Sequence, residues 1–171
     1  MKARIIALGN EAAGDDGAAI LAARQLEGEF TVTIAGRPGA RLLELLDPLE
    51  PLEPPADSGP TILVDVTRSG RSPGTIVSLP LASIAEAAIA SAQMSSHGFG
   101  PSETLRLGAA LGRPLPPGRF VGVEGWRFEI GQPLSPPLAA ALDDLVAAIR
   151  SAAADSNSGS SACTKAASSE S

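Results

Sequence analysis

Two short apolar runs, Ile5–Leu8 and Ile62–Val66, set the strongest limit on what this chain can fold into. Such runs are seen in strands buried on both faces, and strands of that kind occur in parallel sheets covered by helices. Thr31–Ile34, Thr75–Leu79 and Phe120–Val123 are shorter, β-branched-rich strand candidates. Helical patterns fall between them. Asp16 to Glu27 carries Ile20, Leu21, Ala23 and Leu26; Arg41–Leu46 and Ser83–Ser91 are shorter; Ser102–Leu111 places Leu105 and Leu107 ahead of a glycine. The last helix is the best marked. Ser135 can cap it, Pro136 and Pro137 suit its first turn, and Leu138, Leu142, Leu145 and Ile149 hold one face.

Strands alternating with helices predict an α/β domain: a three-layer α/β/α arrangement around a twisted, mostly parallel five-stranded sheet. One connection departs from the pattern. Thr67 to Gly74 is too short for a parallel crossover, which needs a dozen or more residues, so Thr75–Leu79 is expected to pair antiparallel at or near a sheet edge. The 171 residues suffice for one domain with a real core. That domain is placed at residues 1–151. From about Ala152 the apolar periodicity gives way to Ser, Ala and Asn, so 152–171 is expected to be a disordered tail. Asp47 to Pro60, crowded with proline and acid, reads as a surface loop.

Composition narrows the function. With 44% hydrophobic and 3% aromatic residues, the core must be built mainly from Ala, Leu, Ile and Val. No apolar run approaches the roughly 20 residues needed to span a bilayer. Met1-Lys2-Ala3-Arg4 lacks the apolar region of a secretory signal, so a cytoplasmic location is expected. The single cysteine, Cys163, lies in the Ser-rich tail and offers neither a disulfide framework nor a cysteine metal site. A net charge of −6 without a Lys/Arg cluster argues against a nucleic-acid partner.

The chemistry-bearing residues fall after strands. The first strand runs into Gly9-Asn10, then Gly14-Asp15-Asp16-Gly17 and a helix, which puts two adjacent carboxylates where helix N–H groups and the dipole favour negative charge. The carboxyl end of a parallel strand is also where open α/β sheets bind ligands. Asp65, near the end of Leu63-Val64-Asp65-Val66, has two readings: a structural cap on nearby N–H groups, or a carboxylate projecting into the crevice above the sheet. His97, the only histidine, sits in Ser96-His97-Gly98-Phe99-Gly100; a lone histidine is more often structural or exposed than a ligand. Together the three say more. Asp16, Asp65 and His97 would share one rim of a parallel sheet, and two carboxylates with an imidazole form a metal site with open positions, suited to Zn, Ni, Fe or Mn rather than Cu(I).

Other chemistries fit less well. A Ser–His–Asp hydrolase would need the G-x-S-x-G elbow, which does not occur. Cysteine catalysis has only Cys163 to draw on. Gly9 to Gly14 lacks dinucleotide-binding spacing, no G-x-x-x-x-G-K-[ST] exists, and Asp15-Asp16 would repel phosphate. An aspartic-protease pair of Asp16 and Asp65 is conceivable, without that family's sequence context.

At these residues the chain resembles the hydrogenase maturation endopeptidases, which process the C-terminus of [NiFe] hydrogenase large subunits. The resemblance rests on Leu8-Gly9-Asn10 through Asp15-Asp16-Gly17, then Gly39-Ala40-Arg41-Leu42-Leu43, Leu63-Val64-Asp65-Val66 and Pro73-Gly74-Thr75. It continues at Ser96-His97-Gly98, Gly122-Val123-Glu124 and Leu134-Ser135-Pro136, and so covers about residues 3 to 150. It implies a twisted, mostly parallel sheet between helices and a metal-binding triad carried onto Asp16, Asp65 and His97. It implies an aspartic-type endopeptidase that removes the C-terminal extension of the large-subunit precursor, using nickel carried by that substrate and no organic cofactor. A monomer without nucleic-acid or membrane partner is expected. The alternative is a non-catalytic module of the same fold that binds a metal centre or small ligand. Three departures stand out. Ala7 and Ala19 replace glycines usual in the family, and Ile34-Ala35-Gly36-Arg37 lacks an Asp that some members carry before this turn.

Overall fold

A computed structural model describes residues 2–46, 58–90 and 100–158. Five strands form one sheet: β1 (Lys2–Leu8), β2 (Thr31–Gly36), β3 (Ser58–Thr67), β4 (Ile76–Pro80) and β5 (Gly118–Glu124). Their order is β2-β1-β3-β5-β4, with β1–β2, β1–β3 and β3–β5 parallel and β4–β5 antiparallel. The short Thr67–Gly74 connection therefore does what its length dictates, and β4 lies antiparallel at the edge. All five expected strands are present.

Period-two alternation sends the strand side chains to two separate cores. Ala3, Ile5, Ala7, Ile62, Val64, Val66, Val121 and Val123 face α1 (Ala18–Arg24) and α5 (Pro136–Ser158). Ile6, Leu8, Leu63 and Phe120 face α2 (Leu42–Leu46), α3 (Leu81–Ala90) and α4 (Pro101–Ala110). The result is the three-layer α/β/α arrangement. Its first core is rich in alanine: Ala18, Ala19, Ala22 and Ala23 of α1 share it with Ala152 and Ala153 of α5, so small side chains line both helices.

Two local expectations are corrected. Gly14–Gly17 is a 3₁₀ turn, and the α-helix starts only at Ala18. Of the apolar residues in that segment, Leu21 is 36% exposed, whereas Ile20, Ala22 and Ala23 are buried. The last helix does not stop at the 151 boundary; it runs to Ser158, and Ala152 and Ala153 are buried. Alanine is the best helix former and needs no large partner to pack, so an Ala/Ser run can extend an amphipathic helix while looking featureless in sequence. Most of the Asp47–Pro60 loop and the tail from 159 onward lie outside the described residues, although Ser58–Pro60 already belong to β3. Among the described residues no helix is long and apolar enough to cross a membrane.

Candidate active site

The first two parallel crossovers, β1–α1–β2 and β2–α2–β3, place their helices on opposite faces of the sheet, so a crevice opens above the carboxyl ends of β1 and β3. A cleft of about 670 Å³ occupies that place. Among the described residues Asp16, Asp65, Arg37 and Arg68 are the charged groups along it, and Gly9, Gly36, Pro38, Gly100 and Pro101 supply much of the rest of its wall.

Backbone geometry brings Asp16 over the end of β1. Gly9 has φ +124° and donates its N–H to Gly36 O at 2.9 Å, while Asn10 N–H donates to Asp16 O at 3.1 Å. A Cβ on Gly9 would lie 2.0 Å from Asp16 O, so only glycine admits this approach. Ala7 and Ala19, by contrast, sit in a strand and a helix at ordinary negative φ; among the described residues no non-glycine has positive φ. The loss of glycine at those two positions strains nothing.

The adjacent carboxylates have opposite fates. Asp15 is fully buried. Its Oδ2 accepts from Trp126 N–H at 2.8 Å, Arg127 N–H at 2.8 Å and the Ser135 hydroxyl at 2.8 Å, and its Oδ1 accepts from Ser135 N–H at 2.6 Å. Burial alone would raise its pKa, but these hydrogen bonds from Arg127, Ser135 and Trp126 outweigh it and hold the carboxyl below its ordinary value. Asp15 was expected to cap the helix that follows it. Instead it makes no cap there and satisfies the start of α5, tying the loop after β1 to the loop after β5. Ser135 does sit at the helix start, its carbonyl accepting from Ala139 N–H at 2.9 Å, but its hydroxyl donates to Asp15.

Asp16 turns the other way, into the cleft. Arg37 Nε and Nη2 donate to its Oδ2 at 3.2 and 2.6 Å, and its side chain is 14% exposed. Asp65 shares the parity of Leu63 on β3 and also lines the cleft; its Oδ1 accepts from Val66 N–H at 2.8 Å. Burial pushes the Asp65 carboxyl up to about 7; the Val66 hydrogen bond opposes this, the Asp16 charge adds to it, and Arg37 opposes it. A carboxyl that titrates near neutrality beside an ion-paired carboxylate is suited to proton transfer near pH 7.

The structure thus brings Asp16 and Asp65 into one cleft. His97 lies outside the described residues, and among those described no three His, Cys, Asp or Glu side chains gather to hold a metal. Sequence reading registered the 34–37 turn only for an Asp it lacks and did not single out Arg37 or Arg68. Both follow the carboxyl ends of parallel strands, the same signal that marked Asp16 and Asp65.

These features define a class: an α/β domain with a paired-carboxyl cleft at the switch point of its sheet. No protein-family model matches the sequence. No curated protein matches it either. Solved structures do. A [NiFe] hydrogenase maturation protease HybD from Thermococcus kodakarensis is 26% identical, with a TM-score of 0.65 over 90% of this chain and 99% of that one. The hydrogenase maturating endopeptidase HybD from E. coli is 19% identical, with a TM-score of 0.70 over 91% and 94%. A [NiFe] hydrogenase maturation protease HycI from T. kodakarensis is 19% identical, with a TM-score of 0.59 over 90% and 92%. The likeness first seen in short motifs extends over nearly the whole fold, which this chain shares with these solved hydrogenase maturation proteases.

Proposed function

We propose that this protein is an endopeptidase that removes the C-terminal extension of a [NiFe] hydrogenase large-subunit precursor. The observation that carries the reading is the placement of Asp16 and Asp65 in one cleft at the switch point, within a fold shared from end to end with maturation proteases. The hydrolysis is of the aspartic type. One of the two carboxyls takes a proton from water as it attacks the peptide carbonyl, and the titration of Asp65 near neutrality suits proton exchange at physiological pH.

In this reading nickel arrives with the substrate, and Asp16, Asp65 and His97 hold it. Two carboxylate oxygens and one imidazole nitrogen form a set that binds nickel while leaving positions for the precursor's own ligands. Chain length supports the inclusion of His97. Gly100 lines the cleft and His97 is three residues before it, a reach of at most about 11 Å. Occupation of Asp16 by nickel requires Arg37 to yield or share its partner. The protein would act in the cytoplasm as a monomer, and its net charge of −6 disfavours nucleic acid.

Intact mass of nickel-loaded and nickel-free precursor after incubation with the protein tests the reading. Loss of the C-terminal extension from the loaded form only is expected. An unchanged loaded precursor overturns the activity, and equal cleavage of both forms overturns the nickel checkpoint. His97→Ala and Asp16→Asn should each abolish cleavage while moving the thermal midpoint by less than about 3 °C, the response to roughly 1 kcal/mol; full activity in either would remove that residue from the site.

A further inference from the structure

We propose that Arg68 is a carboxylate-docking residue: a fixed guanidinium that receives an acidic group of the peptide substrate beside Asp65. The inference deepens the protease reading and rests on it for the nature of the ligand.

Arg68 is held from two directions. Its loop is clamped by Glu124, a buried carboxylate at the end of β5. Glu124 accepts from the Thr67 hydroxyl at 2.7 Å, Ser69 N–H at 2.7 Å, the Ser69 hydroxyl at 2.8 Å and Gly70 N–H at 2.8 Å. These donors stand on both sides of Arg68 in sequence, so its backbone is fixed. Its side chain is fixed separately, with the guanidinium carbon 3.5 Å from the centroid of the Phe128 ring. Phe128 is itself partly buried against the α1–α5 core, which makes it a firm platform.

Stacking uses the flat face of a guanidinium and leaves its N–H edge open. Among the described residues that edge has no taker: Arg68 makes no hydrogen bond or ion pair with them. Arg37, the other cation of the cleft, is engaged with Asp16. Arg68 therefore presents up to five donors in a planar fork, already oriented, in the wall of the cleft that holds Asp16 and Asp65. The group that matches such a fork is a carboxylate, bound through two parallel hydrogen bonds. A protease cleft meets carboxylates from two sources, an Asp or Glu side chain and the C-terminus of the chain.

The test titrates the ¹⁵N-labelled full chain with three capped tripeptides and follows the Nε–Hε signal of Arg68, assigned by its absence in Arg68→Gln. The peptides are acetyl-Ala-Asp-Ala-amide, acetyl-Ala-Ala-Ala with a free C-terminus, and neutral acetyl-Ala-Asn-Ala-amide, each against matched sodium chloride. A saturable shift with the Asp peptide assigns a side-chain carboxylate, and one with the free C-terminus assigns the chain end; either supports the proposal. No shift, or an equal shift with the neutral peptide, overturns it. In cleavage of the precursor, Arg68→Gln should raise KM roughly tenfold or more with kcat within about twofold, and Arg68→Lys should recover part of the loss. A wild-type KM in Arg68→Gln also overturns it. If the wild-type protein cleaves nothing, the protease reading has failed, and the peptide titration still decides whether Arg68 docks a carboxylate.

Discussion

Replacing Asp15 by Asn tests the central structural claim, that two neighbouring carboxylates of one motif have separate duties. Asn keeps the shape of Asp but trades one acceptor oxygen for an NH₂ group. With the amide oxygen in the place of Oδ2, the N–H groups of Trp126 and Arg127 and the Ser135 hydroxyl keep an acceptor, now uncharged. The NH₂ then faces Ser135 N–H, and a buried donor is left without a partner. The reverse orientation orphans three donors and is worse. An unsatisfied buried donor costs about 1–3 kcal/mol, and each bond that loses its charge weakens by up to roughly 1–2 kcal/mol, partly offset because a neutral amide is easier to bury. A net destabilisation of about 3 kcal/mol follows. For a domain of this size that lowers the midpoint by roughly 6–12 °C.

Urea unfolding of wild type, Asp15→Asn and Asp16→Asn at pH 7 measures the contrast. Asp16→Asn breaks an ion pair whose Arg37 side chain is 64% exposed, and should cost less than about 1 kcal/mol. The two variants should thus differ by about 2 kcal/mol or more in stability, with the less damaged one losing activity. The pH dependence adds a check of sign. Asp15 has a folded pKa below its unfolded value of 3.8, so its contribution is present above that value and fades as pH falls through the folded pKa. The gap between wild type and Asp15→Asn should narrow in acid. A stability loss below about 1 kcal/mol at pH 7, or a gap that widens in acid, would refute the reasoning.

Asp65 gives the opposite pH response: with its carboxyl raised from 3.8 to about 7, the folded state holds the proton longer, so stability is full below the unfolded value and falls as pH rises through 7. Asp65→Asn imitates the protonated form and should be more stable than wild type at pH 8, by up to roughly 4 kcal/mol, with the advantage gone at pH 3; no difference in the two denaturation midpoints at pH 8 refutes it. Arg37→Ala removes the cation that competes for Asp16 and should tighten Ni²⁺ binding by roughly three- to tenfold in calorimetry, whereas unchanged or weaker binding would show that the ion pair does not compete. Gly9→Ala should lose more than about 2 kcal/mol, together with activity, because the new methyl meets Asp16 O and the φ of +124° disfavours any side chain; a wild-type melting curve would contradict the close approach.

The sheet could be read from sequence because burial on both faces writes itself into consecutive residues. Ile5–Leu8 and Ile62–Val66 needed no partner to be recognised, and the antiparallel edge followed from loop length alone. Asp16 and Asp65 were visible for a related reason: a strand end is a local feature, and the crevice lies above strand ends. What stayed hidden depends on distant partners. Nothing near Asp15 distinguishes it from Asp16; its fate is decided by Trp126, Arg127 and Ser135, more than a hundred residues further along the chain. The helical phase of Leu21 and the burial of Ala152 and Ala153 likewise depend on how α1 meets α5, which no single segment encodes. Arg37 is the most instructive case. Its turn registered only for lacking an Asp, yet the Arg37 side chain reaches a carboxylate 21 positions earlier and offsets its charge in the cleft. A base at the cleft rim therefore sets the resting partner of Asp16, and any cation entering the cleft would compete with Arg37 for that carboxylate.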